Sequence, residues 1–449
     1  MKLVIIGGVA AGMSAALEAK RVNPDLAVTV YEASHYVNLS ACGLPYVISG
    51  ALPDPAVLAS RGAQDFKAQG INVFTRHLVT DVDYPARQVR VKDLDSGRSF
   101  SDSFDQLLLA TGAKVIRPEL EGGELPGLYG LRNLEDAQQI QAALARGVTR
   151  AVIVGGGYIG LMMADALTKR GLKVTVVEQL PRLLGNVDTE VAALALQELE
   201  RNGVEVALQT EVTGLAGNGR VERVITSRGE LPADFVLLTT GVRPNADLAA
   251  GAGVDINPLG AVRVNDHMET NLPGVFAAGD LVEVHHLVSH RPAYIPLGST
   301  ATKQGRVAGI NIAGGEGRFA GVVGTTISKA FDLAVGLTGL SELEAAALDI
   351  PSASATIADF DHAPYYPDRR PLTVKLVFGP GDGRLLGAQI AGYGIAVKRI
   401  DVIATLLHRG GTIEDLSRLD LAYAAAFSPV LDPLILAANR ALSSNRRSR

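Results

Sequence analysis

The sequence predicts an α/β fold: two parallel-sheet units of one design, the first interrupted by the second, then an α+β unit. Three observations predict it. First, three short patterns occur twice. LVIIGG (3–8) matches AVIVGGG (151–157), VTVYE (28–32) matches VTVVE (174–178), and LLLATG (107–112) matches VLLTTG (236–241). Each half reads as a buried apolar strand, a glycine turn, a helix, a second strand ending in Glu and a third ending in Thr-Gly. Second, TNLPGVFAAGD (270–280) and STATKQGRVAGINIAG (299–314) add a strand and a helix after the second unit closes near Gly241. They return the chain to complete the first unit. Third, the character changes from about residue 322. Strands are expected at TTISKAF and PLTVKLVFG, and an amphipathic helix around IAVKRIDVIATLLHRG.

In chain order, the first glycine turn is GGVAAG (7–12). Gly7 and Gly12 hold the first and third positions of a G-x-G-x-x-G pattern, Val9 holds the second, and Glu32 ends the next strand. Glycine there permits a tight turn, close approach of a pyrophosphate and close helix–strand packing. The helix N-terminus offers free N–H groups to phosphate. Next comes NLSACGLPY (38–46) with Cys42, the only cysteine in the chain. Pro45 suits a first helical turn, and a thiol at a helix N-terminus has a lowered pKa and a nucleophilic thiolate. The alternative is a buried, inert thiol. The second turn, GGGYIG, has Gly155, Gly157 and Gly160 in full spacing. Glu178 ends its following strand, where a carboxylate accepts a ribose 2′-hydroxyl and repels a 2′-phosphate, so NADH is favoured over NADPH. Two dinucleotide sites in one chain imply that a nicotinamide passes electrons to a flavin, which then reduces something else.

Composition narrows the classes. A chain of 449 residues needs two or three domains. Its 47 % hydrophobic and 20 % charged residues suit a soluble globular protein, and a net charge of −5 argues against nucleic acid as main partner. One cysteine excludes an internal disulfide and a Cys-x-x-Cys pair, and points to a reducing cytosol. MKLVIIGG is too short for a signal-peptide core, and no apolar run approaches the roughly twenty residues of a membrane helix. The end SSNRRSR is expected as a frayed, solvated tail. HHLVSH (285–290) lacks a metal-ligand spacing, so its histidines are expected in a solvated loop and no metal site is expected.

Beyond the two glycine turns, ATG (110–112), GVRPN (241–245) and VFAAGD (275–280) complete a set of motifs. On these the chain resembles the FAD-dependent pyridine nucleotide–disulfide oxidoreductases over nearly its whole length. CGLPY (42–46), YIPLGSTATKQGR (294–306), HAPYYP (362–367) and AYAAAFSPVLDP (422–433) resemble the single-cysteine branch, above all coenzyme A disulfide reductase. The sequence departs from that subgroup at Asn38 and Ala41, in the cysteine motif, and at Ala424 and Ala425, where prolines are usual.

The resemblance implies two Rossmann-like dinucleotide-binding domains, an FAD domain (1–115 and 245–320) interrupted by an NAD(P)H domain (116–244). A dimerisation domain (321–449) follows. It implies cofactor contacts at Gly7, Val9, Ala10, Gly12, Glu32, Ala33, Ala110, Thr111, Gly112, Gly279, Asp280, Pro296, Leu297 and Ala301. Further cofactor contacts fall at Gly155, Gly157, Tyr158, Ile159, Gly160, Glu178 and Gly241. By the same resemblance Cys42 is expected to be the catalytic thiol, forming a mixed disulfide with coenzyme A or another outside thiol. The resemblance would place Tyr365 and Tyr423 at the other subunit's active site in a homodimer, with Tyr366 the neighbour that could be confused with Tyr365. Lys20, Arg21, Asn38 and Lys67 are candidates for the phosphate-bearing substrate. Three other functions compete. An NADH oxidase or peroxidase would cycle Cys42 through sulfenic acid, but the branch's usual His is Ala10 here. A persulfide or polysulfide reductase would use the same cysteine. A redox sensor would not turn over.

Overall fold

Strand β1 (Lys2–Ile6) is apolar after its lysine and buried on both faces, as a central strand of a parallel sheet must be. Helix α1 (Ala10–Val22) crosses over to β2 (Ala27–Tyr31), which pairs with β1 in parallel. Helix α2 (Leu44–Ser49), β3 (Ile71–Phe74) and β4 (Gln106–Leu109) follow. The computed structural model describes residues 1–447.

The second unit repeats the design. It comprises β5 (Leu128–Tyr129), α3 (Leu134–Ala145), β6 (Arg150–Val154), α4 (Tyr158–Lys169), β7 (Lys173–Val177), α5 (Thr189–Arg201), β8 (Glu205–Ala207) and β9 (Phe235–Leu238). Its sheet runs β8–β7–β6–β9–β5. The chain then returns through β10 (Val275–Ala277) and α6 (Gly298–Ile312). β10 pairs in parallel with β4, so the first sheet runs β10–β4–β1–β2–β3. One unit therefore interrupts the other, as the sequence predicts.

The third unit is an antiparallel sheet ordered β11–β12–β15–β14–β13. Its strands are β11 (Thr326–Ala330), β12 (Leu333–Gly339), β13 (Ala353–Phe360), β14 (Pro371–Phe378) and β15 (Leu385–Tyr393). Helices α7 (Glu342–Ala347), α8 (Ile400–His408) and α9 (Pro433–Arg447) pack with it. β11, β14 and α8 fall where the sequence placed them. β12 and β15 were not legible as strands. They are buried nearly throughout, so they lack the alternation that marks a half-exposed strand. The expected frayed tail, SSNRRSR, is corrected over residues 443–447; residues 448 and 449 lie outside the described residues. Residues 443–447 continue α9, and buried Asn445 accepts a hydrogen bond from the Gly381 N–H at 3.0 Å.

Two features tie the units together. One apolar core contains Leu44, Val47 and Ile48 of α2, Leu161 and Leu167 of α4, and Leu333 and Val335 of β12. A buried ion cluster joins the second unit to the third. Lys375, 1 % exposed, lies 3.0 Å from Asp188 and 2.5 Å from both Glu190 and Glu342. Asp188 also accepts from the Gln389 side chain at 2.6 Å and from the first N–H groups of α7. Burial alone would pull the lysine's pKa down, but its three carboxylate partners outweigh burial and hold it above the ordinary range.

Candidate active site

The two glycine turns share one geometry. Gly7 and Gly155 both have left-handed backbones, with φ 105° and 109°. A Cβ on either would strike a carbonyl of the neighbouring strand end, at 2.2 Å from Ala110 O or 2.6 Å from Thr239 O. Glu32 and Glu178 are stitched to these turns in the same way. Glu32 accepts from the Gly8 and Ser34 N–H groups at 2.7 and 2.8 Å, and Glu178 from those of Gly156 and Leu180 at 2.7 and 2.8 Å. Each carboxylate thus stands beside its helix N-terminus, where a dinucleotide's ribose meets its pyrophosphate. Space is open around the Cβ position of Gly157. Val9, at the same place in the first turn, packs its side chain on the core. Tyr158 opens α4, and its hydroxyl donates to Asn186 at 3.2 Å; burial pushes its pKa up to about 12. Ile159 beside it is exposed.

Asp280 lies at the end of β10, and Arg132 binds it: Nη2 reaches Asp280 Oδ2 at 2.5 Å. The Tyr294 hydroxyl donates to the Asp280 carbonyl at 2.9 Å, and the Gly279 N–H donates to Gln304 on α6 at 2.9 Å. Thr111 Oγ1 donates to the Asn245 carbonyl at 2.8 Å, fixing the ATG turn against the returning chain. Arg132 was missed by sequence reasoning. The signal was present: Arg132 directly precedes the Asn133–Asp136 capping box of α3. A cation at a helix N-terminus opposes the dipole and needs a nearby anion.

Cys42 is exposed, in a short 3-10 turn (Ala41–Gly43) that leads into α2 with Pro45 in its first turn. The helical start expected from the sequence is present. Two anchors hold the turn. The Asn38 N–H donates to Gly8 O at 2.8 Å, with Asn38 itself left-handed at φ 54°, so the loop is tied to the first glycine turn. The Ser40 N–H donates to Leu58 O at 2.8 Å. A Cβ on Gly43 would lie 2.2 Å from Leu58 Cδ2. The cysteine loop is thus held by the first unit, and the helix after it by the core of the second.

Tyr365 and Tyr423 come together: their hydroxyls are 3.2 Å apart, on an exposed surface. The hydrogen bond to the Tyr365 hydroxyl raises the Tyr423 pKa above the ordinary phenol value. Tyr366 instead stacks on His362, ring centroids 5.1 Å apart, so Tyr365 is the outward member of the pair. Phe427 and Val430, a few residues along the chain from Tyr423, are exposed large apolar side chains.

The phosphate candidates fare differently. Lys20 folds its ammonium onto the Pro24 and Leu26 carbonyls. Arg21 is exposed but pairs with Glu18 at 2.5 Å. Lys67 is exposed at the end of its short helix. The histidine expectation is corrected. His286 is on a strand and 4 % exposed, and burial pulls its pKa down to about 4. No cluster of potential metal ligands occurs among the described residues, nor does a helix long and apolar enough to cross a membrane.

Two like-built dinucleotide turns, with an exposed thiol fastened between their units, define a two-nucleotide redox protein. The chain belongs to the pyridine nucleotide-disulphide oxidoreductase family, whose main description matches residues 1–305 and whose dimerisation domain matches residues 326–432. It is an FAD-dependent NAD(P)H oxidoreductase. It is 39 % identical to a CoA-dependent NAD(P)H sulfur oxidoreductase of Pyrococcus abyssi, over 97 % of each chain. It is 35 % identical to an NADH oxidase of Methanocaldococcus jannaschii (98 % of this chain, 99 % of the other). It is 28 % identical to the coenzyme A disulfide reductase of Staphylococcus aureus (95 % and 96 %). An NAD-dependent persulfide reductase structure from A. fulgidus superposes with a TM-score of 0.96 at 37 % identity, covering 100 % of this chain and 84 % of that one.

The residues fit both dinucleotides. The carboxylate–turn pairs offer matching cradles, and Arg132 with Asp280 offers a cation and an anion at the open end of the first sheet.

Proposed function

We propose that this protein is a homodimeric NAD(P)H-dependent reductase of coenzyme A disulfide, with Cys42 as the sulfur acceptor. The observation that carries it is the exposed, lone Cys42 held between the two nucleotide units. The first glycine turn, Glu32 and Asp280 would hold FAD, and the second turn with Glu178 would hold the nicotinamide nucleotide. Bound there, FAD supplies the hydride acceptor and returns an electron pair to sulfur. The chain's residues do the rest. The Cys42 thiolate attacks one sulfur of the substrate disulfide. A Cys42–substrate S–S bond forms, the substrate S–S bond breaks, and one thiolate leaves and takes a proton. Two electrons and a proton then reduce the mixed disulfide to the Cys42 thiolate and a second free thiol.

The tyrosine hydroxyls would donate to the departing sulfur from the other subunit of the dimer. The dimerisation-domain match and the exposed apolar side chains of Phe427 and Val430 support this. Arg21 and Lys67 are the better candidates for the substrate's phosphates, because Lys20 spends its donors on backbone carbonyls. Asn38 contributes the bend that presents the loop. Ala10 leaves a sulfenate without an imidazole neighbour, which counts against peroxide chemistry. A persulfide substrate is the second reading, favoured by the likeness to the persulfide reductase.

The test compares kcat/KM for coenzyme A disulfide, hydrogen peroxide, oxygen and a small persulfide under the same NADH. Coenzyme A disulfide should be preferred, and Cys42→Ser should abolish its turnover. Faster turnover of peroxide or oxygen would overturn the reading, and a preference for persulfide would replace it with the second.

A further inference from the structure

Arg399 closes the 3-10 turn Gly394–Arg399, and its side chain is 14 % exposed. It joins three segments that lie apart in the chain. Nε donates to Asp432 Oδ2 at 2.9 Å, and Nη2 donates to the Phe427 carbonyl at 2.9 Å and to the Asp361 carbonyl at 3.3 Å. Asp361 opens the loop that carries Tyr365. Phe427 belongs to the loop that carries Tyr423. Asp432 is itself fixed, accepting from buried Ser428 Oγ at 2.9 Å and, at the start of α9, from the Leu434 N–H at 2.9 Å. The backbone bond that links the two loops directly, Ala363 N–H to Ala425 O, is long at 3.5 Å.

We propose that Arg399 is a positioning residue of the active site: its guanidinium clamps the Tyr365 loop to the Tyr423 loop and so holds the hydroxyl pair in register. The inference rests on the reading that this pair acts on the disulfide bound at the other subunit's Cys42. The guanidinium serves the carboxylate from Nε and the two carbonyls from Nη2, two nitrogens fixed apart in one plane, and the single ammonium nitrogen of a lysine cannot stand at both places. Arg399→Lys keeps the charge beside Asp432 and loses the fork. The direct links that then remain include the long Ala363–Ala425 bond and the hydroxyl contact itself, and the hydroxyls drift from their 3.2 Å spacing.

The test uses the flavin-loaded dimer of Arg399→Lys. Flavin content, dimer mass and the stopped-flow rate of flavin reduction by NADH are expected to match wild type. Turnover of coenzyme A disulfide is expected to fall about tenfold, as for loss of one hydrogen bond to a charged group. The same substitution in a Tyr423→Phe background should cost almost nothing more. Mixing Arg399→Lys chains with Cys42→Ser chains should restore activity, because each heterodimer keeps one intact site. A lesion confined to the chain's own fold or flavin would not be rescued. Additive losses, absent rescue in verified heterodimers, or unchanged disulfide turnover would each overturn the proposal. If Tyr423→Phe and Tyr365→Phe both turn over like wild type, the tyrosine reading itself falls and takes the clamp with it. Should Arg399→Lys fail to assemble, Ser428→Ala loosens Asp432 more gently. It should show the same split between half-reactions at about threefold, and wild-type behaviour in every step would refute the clamp.

Discussion

Arg132 and Asp280 meet at the open end of the first sheet, although they are 148 residues apart in the chain. On the proposed reading that FAD binds here, removing the cation would leave the Asp280 carboxylate without its partner beside an anionic cofactor. Arg132→Leu should therefore weaken FAD retention about tenfold or more, measured as flavin released on gel filtration and by titration of the apoprotein. Unchanged FAD affinity would show that Arg132 only supports Asp280 structurally. His286 gives a pH prediction. Its folded pKa is near 4, below the ordinary value of 6.5, so the unfolded chain binds more protons between those values. Stability from keeping it neutral is present above about pH 6.5 and is lost as pH falls toward 4. The loss is on the order of 2 kcal/mol at pH 5. His286→Leu should flatten the fall in Tm between pH 7 and 5; an unchanged slope would remove His286 as its source. Arg132 left one signal in the sequence, its place just before a capping box, whereas the setting of His286 was not legible. HHLVSH is polar in composition, and its burial depends on strands and loops brought in from elsewhere. The glycines and strand-terminal glutamates were legible because their constraints are local.

At the scale of elements, the turn Ala41–Gly43 determines where the thiol points. A Cβ at Gly43 would lie 2.2 Å from Leu58 Cδ2, so a side chain there requires the buried Leu58 to move. Gly43→Ala should destabilise the fold by about 1–3 kcal/mol through overpacking. It should also lower disulfide turnover by shifting Cys42, while flavin reduction by NADH stays near normal. Denaturant unfolding and the two half-reactions measure both effects; wild-type stability would mean that Leu58 yields freely. The sequence placed this turn and the start of α2 through Cys42, Pro45 and the flanking motif. It did not reveal that α2 packs into the second unit's core, because a six-residue apolar helix carries no address for its partner. β12 and β15 escaped for a related reason: full burial erases periodicity.

In the whole molecule, a tyrosine pair that acts on the other subunit's thiol requires two chains. The tyrosine pair, Phe427 and Val430 lie exposed in one chain, and the dimerisation domain offers the means of covering them. Mixing Cys42→Ser chains with Tyr423→Phe chains should return part of the wild-type activity, since one site in each heterodimer is intact. No recovery in verified heterodimers would place the tyrosines outside the other subunit's site. The interruption of one nucleotide unit by another was legible in the sequence because its motifs repeat. The joining of the units by Lys375, Asp188 and Gln389 was not, because a buried ion cluster leaves no local pattern. The central claim is that Cys42 cycles through a mixed disulfide with an outside coenzyme A thiol. The mass of the intact protein after exposure to coenzyme A disulfide, before and after addition of NADH, tests it most directly. One coenzyme A per chain is expected, on Cys42, removed by NADH. An unmodified Cys42, or one carrying only added oxygen, would contradict it.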